Sequence, residues 1–470
     1  MDDFDLVAIG GGSGGYTAAI RATQLGLTAA IVERDKIGGA CLHRGCIPTK
    51  VLLETAQTLS LVRNSSTFGV RADNIVLDYA TVAARKQRVV DTLHKSLRSV
   101  IQKHKIEIIE GQASLPSPSQ VSVSARGGPA SGGNGRTLNA KHIVLATGSR
   151  PKELPGLPTD GARVLTSDHL LEMSEPPRSI VIVGAGAVGT EFASFYVDIG
   201  CQVTLVEMMP TILPLEDADL GKALARALAA RGANILTAAR VLPEGTRMYD
   251  NVVELKVQHD GREKTVKGDA VLVAVGREAV TDGLGLEKTG VKLDRGFIAV
   301  DGAYRTGEPT IYAVGDAIGG LLLAHVAAAE GFLAAEAITG KEVQRLDYGR
   351  APRVTYSRPQ VAAVGLSEQE ARGAGHNVKT QRFSFRYNAM ALIQDEPEGF
   401  AKVVYDADSG DLLGAHIIGH HASELISEAS LARFLEASAW EIGTNIHPHP
   451  SLSEVLGEAA QLSAGISIYW

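Results

Sequence analysis

Cysteine is scarce in this chain, with three residues in 470: Cys41, Cys46 and Cys201. That excludes a disulfide-stapled secreted scaffold. Aromatic residues make up only 5%, and no run of eighteen uninterrupted apolar residues occurs. The richest stretch, 321–338, is broken by His325, Glu330 and Glu336. A membrane-spanning helix is therefore not expected, and the chain reads as soluble. Positive charge is also short, with 46 Lys and Arg against 53 Asp and Glu for a net charge of −7, which leaves no footprint for nucleic acid. The opening MDDFDLVAIGGG has neither a positive n-region with an apolar core nor an Arg-rich transit helix. A cytoplasmic protein is the expectation, or one of an organelle matrix if a transit peptide has been removed. No metal site is expected. What is plentiful is glycine, 51 residues, beside 45% apolar and 21% charged residues, a balance that suits an α/β protein of strands and short loops. The length predicts roughly three domains.

A nucleotide-binding unit is written twice. Leu6-Val7-Ala8-Ile9 feeds Gly10-Gly11-Gly12-Ser13-Gly14-Gly15, residues 16–25 read as helix, and the next apolar strand, Ala29 to Val32, ends in Glu33. This is strand, G-x-G-x-x-G, helix, with an acid placed to accept from a ribose hydroxyl. Ser179 to Val183 then leads into Gly184-Ala185-Gly186-Ala187-Val188-Gly189, and Val203 to Val206 ends in Glu207 at the same spacing from the first glycine. Glycines let the backbone approach a pyrophosphate, and the helix N-terminus offers unpaired N–H groups and a positive dipole. Two copies imply two dinucleotides. Glu207, followed by Met208 and Met209 instead of arginines, would repel a 2′-phosphate, so NAD is expected over NADP. A later strand in each copy ends in glycine: Ile143 to Gly148 and Val271 to Gly276. Gly10 to Gly148 spans 138 positions and Gly184 to Gly276 only 92. The cysteine pair and a helix-like stretch near 84–104 fall in the longer interval and read as an insertion, while residues 126–136 read as a hairpin loop without chemistry.

In Gly38-Gly39-Ala40-Cys41-Leu42-His43-Arg44-Gly45-Cys46-Ile47-Pro48-Thr49-Lys50, two cysteines stand five positions apart beside the first fingerprint. On a regular helix their Cα atoms would be roughly 8.6 Å apart, and a disulfide tolerates less than about 7 Å. A bonded pair therefore requires a distorted turn, for which Gly45 and Pro48 supply the means. Two unpaired thiols are the alternative reading, and His43-Arg44 could be no more than a solvated turn. Cys201, at the start of a strand, reads as a structural thiol.

Fingerprint, C-x4-C, second fingerprint, Tyr312-Ala313-Val314-Gly315-Asp316 and the terminal His447-Pro448-His449-Pro450 succeed one another across the whole chain. In this order they resemble the flavin-dependent pyridine nucleotide disulfide oxidoreductases. GGACLHRGCIPTK, LLLAHVAAAEG, VTYSRPQVAAVGLSEQEA and DLLGAHIIGHHASELISEA look most like the branch that oxidises protein-bound dihydrolipoyl groups. The resemblance implies two Rossmann-like FAD- and NAD-binding domains and a C-terminal α+β dimerisation domain. The boundaries expected from the motifs are 1–149 for FAD, 150–276 for NAD, 277–347 for a segment completing the FAD domain, and 348–470 for the interface of a homodimer. It also implies that Gly10, Gly12, Gly15, Glu33, Gly148, Asp316 and His325 serve FAD, and that Gly184, Gly186, Gly189, Glu207 and Gly276 serve NAD. Asp316 could equally cap the turn after Gly315. Cys41 and Cys46 would be the redox pair, with Lys50 near the flavin and Glu191 as its carboxylate partner.

By the same resemblance His449 is the base and Glu454 orients it, working on the other subunit's thiols. Ser451-x-x-Glu454 also reads as a capping box, and His447 competes with His449 for the base. Pro448 and Ser451 replace the small residue and the Thr usual in the family. The implied partner is a lipoylated acyltransferase or carrier protein of a multienzyme complex, electrons passing to NAD. Competing expectations are an NAD(P)H-dependent reductase of another small disulfide and a docking component with secondary catalysis.

Overall fold

The computed structural model describes residues 2–125 and 135–466, so most of the expected 126–136 hairpin loop lies outside the described residues. The chain divides into two compact units. One comprises Met1–Val51, Ala83–Lys152 and Arg277–Tyr348, the other Leu52–Val82, Glu153–Gly276 and Gly349–Trp470.

In the first unit, strands Glu107–Glu110, Ala29–Glu33, Asp2–Ile9 and Arg136–Leu145 lie side by side in that order, all parallel. The far edge of Arg136–Leu145 is shared. Gln120–Ser124 pairs antiparallel with its first half and Ile311–Ala313 pairs parallel with its second. Leu6 to Ile9 and Ala29 to Val32 are apolar without alternation because such a sheet is covered on both faces. The helix Ser13–Gln24 buries Ala18, Ala19 and Ala22. Small residues let it lie close to the helix Ala324–Ile338, where a Cβ on Gly331 would overlap the Gly14 carbonyl.

The second unit holds an all-parallel sheet in the order Asn234–Leu236, Gln202–Val206, Ser179–Val183, Ala270–Val273 and Val164–Leu165. The strand expected over 271–275 thus ends at Val273, and Cys201 stands just before a strand. A three-stranded antiparallel sheet, Arg240–Met248, Val253–His259 and Arg262–Gly268, belongs to the same unit. So does a five-stranded antiparallel sheet in the order Arg353–Thr355, Gln360–Gly365, Leu412–Gly419, Phe400–Asp406 and Val378–Ser384, against which the helices Ala422–Phe434 and Glu454–Ser463 pack. Lys402 lies buried between these parts, its Nζ within 3.1 Å of Asp217, Asp219 and Glu368, as a buried ammonium requires.

The two parallel sheets differ in one crossover. Between its second and third strands the first sheet is connected by residues 34 to 106 and the second only by 207 to 233. The extra length carries the helices Gly39–Arg44, Cys46–Arg63 and Tyr79–Lys103. Among the described residues no helix is long and apolar enough to cross a membrane.

Candidate active site

Both glycine fingerprints adopt the same local geometry. Gly10 and Gly184 have φ of +104° and +99°, and a Cβ on Gly15 or Gly189 would overlap the carbonyl oxygen of Gly10 or Gly184. The helices leading away from them are capped by Gly12 and Gly186 with no side chain on the exposed N–H groups. A Cβ on Gly12 would meet only the Gly39 Cα at 4.0 Å, and one on Gly186 would meet nothing. These helix ends are open to an anionic ligand, as a dinucleotide pyrophosphate needs. Glu33 accepts from the Gly11 N–H at 2.7 Å and the Asp35 N–H at 2.8 Å. Glu207 repeats this with Ala185 at 2.6 Å and Met209 at 2.8 Å. Each carboxylate is thereby fixed beside its helix end, with lone pairs left for a ribose hydroxyl. Gly148 and Gly276 also match, both at positive φ with open space where a Cβ would stand.

The thiol pair rests on a broken helix. Cys41 belongs to Gly39–Arg44 and Cys46 opens Cys46–Arg63, while Gly45 between them, at φ −146° and ψ −110°, interrupts the helical path. No disulfide joins them in this structure, and Cys41 hydrogen-bonds to Cys46. That bond and burial push the Cys41 thiol well above the usual range, while the Lys50 ammonium pulls it down and Asp316 raises it. Lys50 lies one turn after Cys46, on the same face of its helix. Pro48 falls within the first turn, where a missing N–H costs no helical bond. His43 and Arg44 are not a solvated turn. Arg44 pairs with Asp35 at 2.9 Å, His43 Nε2 donates to the Ile37 carbonyl at 2.8 Å, and the His43 ring meets His94 edge-on at 5.0 Å.

Asp316 lies in the same electrostatic neighbourhood. Its Oδ2 accepts from Ser149 Oγ at 2.5 Å, with Arg277 Nε at 3.9 Å, so the carboxylate serves more than the turn after Gly315. Arg277 in turn donates to Ser149 Oγ at 2.7 Å and to its carbonyl at 2.8 Å. The turn itself is fixed by Glu330, 1% exposed, which accepts from the Gly315 N–H and from the Tyr348 hydroxyl, each at 2.6 Å. Sequence reasoning passed over Ser149, Arg277 and Glu330. The signal available was that Ser149 and Arg277 each come directly after the glycine, Gly148 or Gly276, that closes a corresponding apolar run. His325 is exposed at the second residue of the helix Ala324–Ile338.

His449 and Glu454 come together in the second unit. His449 Nδ1 donates to Glu454 Oε1 at 2.8 Å, and the other carboxylate oxygen accepts from the Ser451 N–H at 2.8 Å. Glu454 thus orients the ring and also ties back the chain. The helix starts at Glu454 itself, with Ser453 as its N-cap, so Ser451 is not the cap of a capping box. The His449 side chain is 64% exposed, leaving Nε2 open. The His447 side chain is only 8% exposed, and its Nε2 is engaged by Glu428 at 2.8 Å. Of the two rings His447 is thus the buried and engaged one, and His449 the one exposed. Glu191 is buried on the helix Ala187–Ile199 and accepts from the Tyr356 N–H at 2.9 Å. Cys201 donates to the Pro177 carbonyl at 2.9 Å, and burial raises its pKa to about 12, which suits an inert thiol.

Comparison with known proteins agrees with this chemistry. Residues 4–331 match the family model described as pyridine nucleotide-disulphide oxidoreductase, and residues 351–460 match the dimerisation domain of that family. The chain is 44% identical to a dihydrolipoyl dehydrogenase of Bacillus subtilis, over 100% of this chain and 99% of that one. It is 41% identical to the dihydrolipoyl dehydrogenase of Zymomonas mobilis over all of both chains. Among solved structures it resembles LpdA from Mycobacterium tuberculosis, with a TM-score of 0.88, 29% identity and coverage of 98% and 99%. It also resembles the HOCl-induced flavoprotein disulfide reductase RclA from Escherichia coli, with a TM-score of 0.86, 26% identity and coverage of 98% and 100%.

Proposed function

Because the chain belongs to the pyridine nucleotide-disulphide oxidoreductase family, we propose that it works as a homodimer that oxidises protein-bound dihydrolipoyl groups to lipoyl disulfide and reduces NAD, with FAD as the relay between them. The observation that carries the reading is the hydrogen-bonded Cys41–Cys46 pair, whose thiol feels the opposed charges of Lys50 and Asp316. The full-length likeness to dihydrolipoyl dehydrogenases directs that chemistry to the lipoyl group. Residues 1–149 and 277–347 serve FAD, 150–276 serve NAD, and 348–470 form the subunit interface. Gly10, Gly12, Gly15, Glu33, Gly148 and Asp316 hold FAD, while Gly184, Gly186, Gly189, Glu207 and Gly276 hold NAD. The natural donor is a lipoylated acyltransferase or carrier protein, met in the cytoplasm.

FAD and NAD, when bound, supply a two-electron path from thiolate to nicotinamide. The chain's own groups do the rest. In the oxidised enzyme Cys41 and Cys46 share a disulfide. His449 Nε2, free because Nδ1 donates to Glu454, takes the proton of a dihydrolipoyl thiol presented at the partner subunit's thiol pair. The resulting thiolate attacks Cys41 Sγ, a lipoyl–Cys41 bond forms, and the Cys41–Cys46 bond breaks, leaving Cys46 as a thiolate. The second lipoyl thiol gives up its proton, the one released to solvent in the net reaction, and its sulfur attacks the first; the lipoyl–Cys41 bond breaks, Cys41 leaves carrying the proton that His449 returns, and lipoyl disulfide is released. The dithiol has lost two electrons to the cysteine pair, which surrenders them to NAD, one proton leaving to solvent. Lys50, paired in this scheme with Glu191, favours the thiolate form.

The test is NADH oxidation by the flavin-loaded protein with lipoamide, run beside NADPH and beside glutathione disulfide. Turnover with NADH and lipoamide alone is expected, and activity with glutathione disulfide in place of lipoamide would defeat the reading. In His449→Gln, NADH should still reduce the flavin while dihydrolipoamide oxidation falls by roughly 10²–10⁴-fold.

A further inference from the structure

The buried His447 stands in the same HPHP motif as the base and is left unused by the mechanism. Its surroundings are specific. Nε2 meets Glu428 Oε1 at 2.8 Å, and the Asn445 side-chain amide donates to the same oxygen at 3.4 Å. The ring packs against the helix Glu454–Ser463 at Gly457, where a Cβ would stand 2.7 Å from two ring atoms. Only glycine admits a ring so close to the turn that carries Glu454. One turn on, Glu458 is 7% exposed, and its Oε2 has no partner among the described residues.

We propose that His447 and Glu428 form a second His–Glu pair whose role is to position Glu454, and through it the ring of His449. The pair sets the charge balance of the segment. The groups facing it are Glu428 from the helix Ala422–Phe434 and Glu454 and Glu458 from the helix Glu454–Ser463, and Glu454 in turn holds His449. The hydrogen bond from Glu428 raises the His447 imidazole above its ordinary range against the opposing effect of burial, with Glu454 adding to the rise. Burial and the charge of Glu454 raise Glu458, and His447 opposes them. The His447 ring thus stands buried among three carboxyl groups, Glu428, Glu454 and Glu458. His447 is a positioning residue, since it acts through Glu454 and the helix that carries it.

The inference rests on His449 being the base, and the experiment separates the two claims. The pH dependence of kcat/KM for dihydrolipoamide oxidation is measured in the dimeric, flavin-loaded enzyme. Removing His447 leaves Glu428 unpaired, so the field at His449 turns more negative and its proton is held more tightly. The acid limb, below which the base is protonated and idle, should move to higher pH in His447→Gln by roughly half a unit, the size of one partly screened charge several ångströms away. The shift should shrink in high salt, and the double variant His447→Gln/Glu428→Gln, which restores the charge balance, should bring the limb back. Reduction of the flavin by NADH should be unchanged in both. A limb that stays at its wild-type position at low salt, or one that the double variant does not restore, overturns the inference. If His447→Gln does not fold, the wild-type ring resonance of His447 decides: titration above the ordinary imidazole range supports the pair, and titration at or below it refutes the pair. Dihydrolipoamide oxidation at the wild-type rate in His449→Gln would instead remove His449 as the base, on which the inference rests.

Discussion

At the two fingerprints the backbone is repeated almost angle for angle, yet the two surroundings share little. Gly10 and Gly184 differ by five degrees in φ, and Glu33 and Glu207 take the same pair of backbone N–H groups at distances equal within 0.1 Å. Beyond the acids the two copies diverge. After Glu33 the chain makes the long crossover that carries Cys41, Cys46 and Lys50, and Asp316 returns to the same neighbourhood from far along the sequence. After Glu207 it exposes Met208 and Met209 and closes the crossover with the single helix Ala218–Ala230. Gripping a dinucleotide is thus a property of backbone, which can be copied whole. Deciding what the dinucleotide does belongs to the connections, which cannot.

The largest expected effect removes what is peculiar to the first copy. Cys46→Ser should abolish lipoamide turnover while leaving flavin absorbance and NADH binding intact, because serine neither forms the disulfide nor disturbs either glycine cradle. Retained turnover would show that the inserted helices are not the redox element, and the contrast between the copies would lose its meaning. Next come the paired changes Gly15→Ala and Gly189→Ala. The steric insult is the same in both, a methyl group driven into a backbone carbonyl, and should exceed the ~1–3 kcal/mol usual for overpacking because the backbone cannot turn aside. The outcomes should differ: Gly15→Ala is purified with little flavin, whereas Gly189→Ala keeps its flavin and dihydrolipoamide reduction of it but loses saturation by NADH. If Gly189→Ala also lost its flavin, the two cradles would not be independent.

The repeated half of this contrast was legible in the sequence because it consists of local rules. A strand that ends in glycine, a glycine where a helix must touch a strand, and an acid at fixed spacing each leave a mark within thirty residues. The thiol pair was legible for the same reason, down to the break at Gly45. Ser149, Arg277 and Glu330 were not, since what makes them matter is proximity across more than a hundred positions: Ser149 to Asp316, and Arg277 back to Ser149. The terminal histidines show the limit most clearly. HPHP offers two imidazoles in equivalent dress, and only burial against Gly457 and the approach of Glu428 distinguish His447 from His449.

A third change sharpens the contrast at its chemical edge. Glu207→Ala with Met208→Arg should shift preference from NADH toward NADPH by on the order of tenfold or more in kcat/KM. It removes the carboxylate that would oppose a 2′-phosphate and supplies a guanidinium that pairs with one. The exposure of Met208, 67%, leaves the new side chain free to reach. An unchanged preference would mean that the acid at the end of the second strand is structural in this copy.

The smallest effect tests how far the copying extends. Glu33→Gln and Glu207→Gln each keep the side-chain shape but replace one accepting oxygen with an NH2, which cannot serve both backbone N–H groups that the carboxylate now holds. One buried donor is left without a partner in each case, at a cost of about 1–3 kcal/mol. Because the two sites match in distance and burial, the loss of thermal stability in the cofactor-free protein should be the same in both variants. Once ligands are added, Glu33→Gln should weaken retention of FAD and leave the KM for NADH unchanged, and Glu207→Gln should do the reverse. Unequal losses without ligand would place the difference between the copies in the fingerprints themselves, and equal ligand effects would remove the assignment of one dinucleotide to each.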